Sequence, residues 1–229
     1  ISYIQSVDNS SQITLRDDRN NGSGTTADLY IKRYSPSGLG KITINSGATL
    51  EGSTTSLANN TAFVNNGTFI LDQDTNGNLS EEISGTGALI KDGNGTVTLS
   101  RSNSLTGLTI VQRDGAASGN SSLTLSNSRA SNKTLQGDIK IKANASLDLG
   151  LSNQIKDDKI LYLDGGSFNL NGYSEGSASS IGIGTLNLLQ SSTIDLGGGT
   201  SILTFNTDSR TGGISVSYTH LTLPTTPYV

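Results

Sequence analysis

The chain has 229 residues, a formal net charge of −4 and no cysteine, methionine or tryptophan. The lack of cysteine excludes disulfides, thiolate catalysis and cysteine-ligated metals. Its 15 Lys and Arg are scattered among 19 Asp and Glu, which leaves no basic patch for nucleic acid.

Only 32% of residues are hydrophobic, and Gly, Ser, Thr and Asn make up close to half of the chain. Such a composition folds only if its few aliphatic residues are patterned, and they are. "LRDDRNNGSGTTADL", from Leu15, is a polar loop. "ITINSGATLEG", from Ile42, has two apolar residues two apart, a small polar corner, then further strand-like alternation. "TAFVNNGTFILD" follows at a similar interval, and "QRDGAASGNSS", from Gln112, is a second loop.

The plan returns in "IKIKANASLDLG", "LYLDGGSFNLNG" and "LNLLQSSTIDLGGG", which start at 139, 161 and 186. Ile139 and Ile141 match Leu147 and Leu149; Leu161 and Leu163 match Phe168 and Leu170; Leu186 and Leu188 match Ile194 and Leu196. Thr43, Lys140, Lys142, Asp148, Asn187 and Asp195 then fall on the outside of their strands. No apolar run reaches membrane-spanning helical length.

Two all-β architectures accommodate this pattern. Asn94-Gly95, Asp164-Gly165 and Asn171-Gly172 suit hairpins, hence a sandwich. Alternatively, each corner leads to the next face of a coil, and strands pair with counterparts one coil on. The period of ~20–25 residues and the 5% aromatic content favour the second, a parallel β-helix, or β-solenoid. A single elongated domain over residues 1–215, of nine or ten coils, is expected. Unpaired strand edges at its ends predict association.

The tail from Val216 differs in kind. Val216 to Thr225 resembles an in-frame translation of a sequencing-library adapter, so residues 216–229 are read as non-native. The only histidine, His220, lies there, so the remainder has no histidine for a triad or a metal site. The missing methionine places the natural start upstream, and any signal peptide would lie there, outside the given sequence.

"DQDTNGNLSEE" is the richest polar constellation. Asp72, Asp74, Asn76 and Gly77 match the start of a calcium loop, whose oxygens alternate along the chain. Its twelfth position is Ile83 rather than a bidentate Glu, which points to a solvated turn. The carboxylate pairs Asp17-Asp18, Glu81-Glu82 and Asp157-Asp158 do not by themselves face across a sugar, because strand neighbours point to opposite sides.

"GTGALIKDGNGTVTLSRSNSLTGLTIV", from Gly85, resembles the autotransporter-associated β-strand repeat. Gly85, Gly87, Leu89, Lys91, Gly93, Gly95, Val97, Leu99, Asn103 and Gly107 match its fixed positions, within a motif region of 83–111. Leu105 stands where Tyr is frequent and Leu108 where a second Gly is common. The glycines are expected to permit positive φ and close coil-to-coil approach. The aliphatics are expected to fill the coil, with Lys91 and Asp92 outside.

The resemblance implies a right-handed β-helix passenger of a type V autotransporter in a Gram-negative bacterium. It would be carried to the cell surface or beyond by a C-terminal β-barrel translocator in the same polypeptide. A stalk or adhesin-type role without catalysis and without a cofactor is expected, with a ligand on a host or neighbouring cell. The alternatives are a secreted polysaccharide-degrading β-helix enzyme and a calcium-stabilised carbohydrate- or protein-binding module.

Overall fold

Alternating aliphatic and small polar residues make strands of a few residues joined by tight corners. The computed structural model shows how they stack, describing residues 3–7, 13–16, 40–58, 60–114, 119–128, 133–210 and 216–219. Most of the polar loop after Leu15, Pro36, and His220, Pro224 and Pro227 lie outside the described residues.

The first strands are β1 (Tyr3–Val7) and β2 (Ile13–Arg16), then β3 (Ile42–Ile44) and β4 (Thr49–Gly52). Two three-strand turns follow: β5 (Ala62–Asn65), β6 (Thr68–Asp72) and β7 (Gly77–Leu79), then β8 (Glu82–Gly85), β9 (Ala88–Asp92) and β10 (Thr96–Leu99). The next turn holds β11 (Ser104–Leu105), β12 (Thr109–Val111) and β13 (Ser121–Leu125). Later turns keep two strands each. These are β14 (Ile139–Lys142) and β15 (Ala145–Leu149), then β16 (Ile160–Asp164) and β17 (Ser167–Asn169). After them come β18 (Ile183–Gln190) and β19 (Ser192–Asp195), then β20 (Phe205–Arg210) and β21 (Val216–Thr219).

These form three sheets along one axis. The first runs β1-β2-β3-β5-β8-β11, the second β4-β6-β9-β12-β14-β16-β18-β20, and the third β7-β10-β13-β15-β17-β19-β21. The first sheet continues as the bridges Leu135↔Ile155 and Glu175↔Leu203. Within the sheets every ladder is parallel except β1–β2.

The chain is therefore an all-β parallel solenoid, and the Asn-Gly and Asp-Gly dipeptides turn corners rather than hairpins. It has about seven turns, not nine or ten. The coils lengthen midway: Val111 pairs with Ile141 and Leu163 with Leu188. Seven rises of ~4.8 Å give a rod of ~34 Å. Four residues of the adapter-like tail extend the third sheet, Ser192 to Asp195 pairing with Val216 to Thr219.

Inward positions stack in columns. In the second sheet, Leu50, Phe69, Leu89, Thr109, Ile139, Leu161 and Leu186 are in register and buried. Each fully buried Leu, Ile or Phe contributes roughly 1.5–3 kcal/mol. Phe63 and Phe69 meet with ring centroids 4.8 Å apart. Thr43, Lys140, Lys142, Asp148, Asn187 and Asp195 occupy the alternate, partly exposed positions, as the alternation predicts.

The motif glycines serve two purposes. Gly85 and Gly93 have φ of +106° and +78°, which only glycine adopts cheaply. Gly87 and Gly107 instead permit close approach. A Cβ on Gly107 would lie 1.9 Å from the Gly87 carbonyl oxygen, and one on Gly87 would lie 2.2 Å from that of Gly67.

Candidate functional site

Three polar systems stand out: two inside the corners, and a concavity on the first sheet. The first lies where the second sheet turns into the third. Leu89 and Lys91 lie on the same side of β9, and both are buried. Lys91 is not outward as the sequence suggested. It occupies an interior column between Leu71 and Val111 and is 0% exposed.

Its Nζ donates to the carbonyls of Gly93 (3.0 Å), Gln73 (3.5 Å) and Asp92, and to Ser121 Oγ (3.1 Å). An ammonium group suits this cage, because it supplies donors to carbonyls that the corner turns inward. Burial pulls Lys91 down to about 8, with Asp92, Asp72 and Asp74 opposing the shift, so it stays protonated at neutral pH. Ser121 beside a lysine resembles a nucleophile with its base. However, both are 0% exposed, so no substrate reaches them.

The second system lies where the third sheet turns into the first. Asn103 Oδ1 accepts from Ile83 N–H (2.9 Å), and its Nδ2 donates to the Thr134 carbonyl (3.0 Å). Gln154 Oε1 accepts from Asn127 N–H (2.8 Å) and from the Thr134 hydroxyl, while Gln154 N–H donates to Glu175 Oε1. Glu175 is 0% exposed and its Oε2 has no hydrogen-bond partner. Burial pushes its carboxyl up to about 8, so it is protonated at neutral pH. Sequence reading passed over Glu175, an isolated acid in "YSEGS" with no aliphatic neighbour to reveal its orientation.

These two groups set opposing pH responses. Glu175 keeps its proton to about pH 8 when folded but loses it near its ordinary 4.5 when unfolded. Its stabilisation is full below 4.5 and is lost as pH rises through about 8. Lys91 is lowered from 10.5 to about 8, so its contribution is present above 10.5 and is lost as pH falls through 8. Stability is therefore expected to pass through a minimum near pH 8. Melting scans from pH 5 to 10 should dip by about 5–10 °C. Glu175→Gln should flatten the acid limb and Lys91→Met the alkaline one; a monotonic profile would contradict both assignments.

The acidic turn is a set of caps. Asp74 Oδ1 accepts from Asn94 N–H (3.1 Å) and Asn76 Oδ1 from Thr96 N–H (3.0 Å), so each ties its coil to the next. Asp72 is in register with Asp92. Asp92 receives Gly93 N–H, Asp114 N–H and Gln112 Nε2. Among the described residues, no three His, Cys, Asp or Glu side chains stand close enough to hold a metal ion.

The concavity, of about 320 Å³, is lined by Glu82, Ser102, Asn103, Ser104, Thr106 and Gln136. It forms where the first sheet narrows to the two residues of β11. Buried Asn103 holds its floor, and the Ser104 hydroxyl donates to Glu82 Oε1 (3.3 Å) at its wall. Among the described residues, Glu82 is its only lining carboxylate.

These features define a parallel β-solenoid with polar-braced corners. Comparison with protein-family models, curated proteins and solved structures finds no match for this chain.

Proposed function

We propose that this chain is a segment of an autotransporter passenger: a surface-exposed rod of stalk or adhesin type, without catalysis. It would be joined in its native polypeptide to a β-barrel translocator in the outer membrane of a Gram-negative bacterium. The observation that supports this reading is the use made of the motif. Gly87, Gly95 and Gly107 sit where a Cβ would strike the preceding coil's backbone. Leu89, Val97 and Leu99 fill the interior, and Lys91 and Asn103 brace two corners. The residues that carry the resemblance are thus those that let coil follow coil, which is what a rod requires.

An enzyme reading needs carboxylates that converge. Where they do approach, at the corner between the second and third sheets, Asp72 is in register with Asp92, and Asp92 is taken up by the Gly93 and Asp114 amides and Gln112 Nε2; Asp164 lies elsewhere on the second sheet, Asp148 and Asp195 on the third, and Glu82 on the first. A surface ligand would be met by the concavity around Glu82 or by the outer polar faces. The test is to fuse the chain upstream of an autotransporter barrel in a Gram-negative host. External protease should then remove it from intact cells. Retention in a protected compartment, while the barrel alone inserts, would overturn the proposal.

The calcium-stabilised alternative is tested separately. A site with a Kd of about 10 µM would gain about 2.7 kcal/mol at 1 mM calcium. Because Asp74 and Asn76 already cap amides, the expected result is an unchanged melting temperature. A calcium-dependent rise abolished by Asp74→Ala would restore the calcium loop.

A further inference from the structure

The concavity on the first sheet exists because a ladder stops. Among the described residues β11 pairs with β8 and with no later strand, while the next coil bridges onward from Leu135 to Ile155. The gap between them is shut at both ends. Asn103 Nδ2 reaches the Thr134 carbonyl at one (3.0 Å), and Gly137 closes on the Gly107 carbonyl at the other. What remains is a short slot whose volume, about 320 Å³, lies at the small end of ligand sites.

Hydrogen bonds within the chain decide what the slot offers. The Ser104 hydroxyl already donates to Glu82 Oε1 (3.3 Å), and the Thr106 hydroxyl to the Gly85 carbonyl (3.4 Å). The Asn103 amide donates to the Arg101 and Thr134 carbonyls. With those protons committed, the Glu82 carboxylate and the lone pairs of Ser104 and Thr106 face a ligand as acceptors. Neighbouring cations are engaged elsewhere: Arg101 Nε donates to the Ser80 carbonyl (2.8 Å), and Lys133 pairs with Asp157 (3.1 Å). The slot therefore suits a ligand that brings donors and positive charge. Lys91 shows the same match inside the chain, where carbonyls and Ser121 Oγ hold an ammonium group.

We propose that the slot binds an amino sugar, with its ammonium group on Glu82 and its ring hydroxyls on Ser104, Thr106 and the Gln136 amide. The lining selects this class. Among the described residues no aromatic or aliphatic side chain lines the slot. A lysine side chain would have no apolar wall for its methylene stem. A neutral sugar would have no ring to stack on and no charge to offer Glu82. A hydroxylated ring bearing an ammonium group needs no apolar wall and gains a charge-assisted hydrogen bond. The proposal rests on the passenger reading only for the exposure of this face on a cell. Binding is read on the purified chain and export on cells, so the two fail separately.

Saturation-transfer NMR of the full chain, with glucosamine up to about 100 mM, tests it. Glucosamine should bind with a Kd of about 1–5 mM, and glucose and N-acetylglucosamine, which lack the charge, at least about tenfold more weakly. Glu82→Gln, which still accepts from Ser104, should keep the melting temperature and weaken glucosamine about tenfold. Glu81→Gln, next in sequence but outside the slot, should change binding by less than about twofold. No saturable glucosamine binding, or binding undiminished in Glu82→Gln, would overturn the proposal. Equal binding of N-acetylglucosamine would remove the role of charge. Equal binding of n-butylamine would show a site for lysine-type amines. Either result overturns the amino-sugar assignment.

Discussion

Gly107→Ala is expected to destabilise the rod by about 3 kcal/mol or more. Its new Cβ would sit 1.9 Å from the Gly87 carbonyl oxygen and 2.6 Å from that of Thr86, and neither is a side chain that can swing away. Relief requires one coil to move off the next. That strains the ladder in which Leu89 N–H donates to the Leu108 carbonyl (3.0 Å). The coil above is equally close, since a Cβ on Gly137 would lie 2.0 Å from the Gly107 carbonyl oxygen.

Gly198→Ala is the control. Nothing lies within 4 Å of its Cβ, so stability should change by less than about 0.5 kcal/mol. Urea unfolding of the two variants checks the contrast. In a stack held by neighbour contacts, Gly107→Ala should also split the transition, because coils on either side of the fault lose their coupling. Equal midpoints for both variants would mean that the coils do not approach as closely as described.

The second large effect belongs to Lys91. Lys91→Ala removes a buried stem and leaves the Gln73, Asp92 and Gly93 carbonyls without their ammonium donor. The Gln73 and Asp92 carbonyls keep the Gly95 and Gln73 amides as donors, so the cavity and the Gly93 carbonyl that loses its ammonium donor should together cost about 3–5 kcal/mol. Lys91→Met refills most of the volume and removes a charge whose burial is costly, so its loss should be smaller, about 1–3 kcal/mol. The order wild type, Met, Ala in urea midpoints is the diagnostic result. If Ala matched wild type, the ammonium would not be holding the corner.

Lys91 is buried although its charge argues for the surface. Residues two apart on a strand share a face, so Leu89 and Lys91 had to point the same way. Treating the charge as a reason for exposure overrode that parity. The same parity correctly put Thr43, Lys140 and Asp148 outside, where charge and position agree. Glu175 had no such clue, because it sits in an isolated bridge and its neighbours carry no alternation.

Corner identity was likewise hidden. "ITINSGATLEG" turns from the first sheet to the second, whereas "IKIKANASLDLG" turns from the second to the third, although they read alike. The acidic turn looked like a cation loop because Asp and Asn oxygens accept from cations and amides alike. Only the position of Asn94 and Thr96 one coil on reveals which partner they have.

By itself the sequence determined the strand class, the alternation of inward and outward positions along each strand and the glycine corners, because these follow from residue spacing along one strand and its corner. Tertiary structure decided the number of turns, which polar groups are sealed inside, and which outward residues align from coil to coil. Those depend on register between segments some 20 to 30 residues apart, set by how each corner and loop closes. No local periodicity encodes that closure. Lys91 is therefore caged by groups on three different turns, which meet only once the coils are stacked.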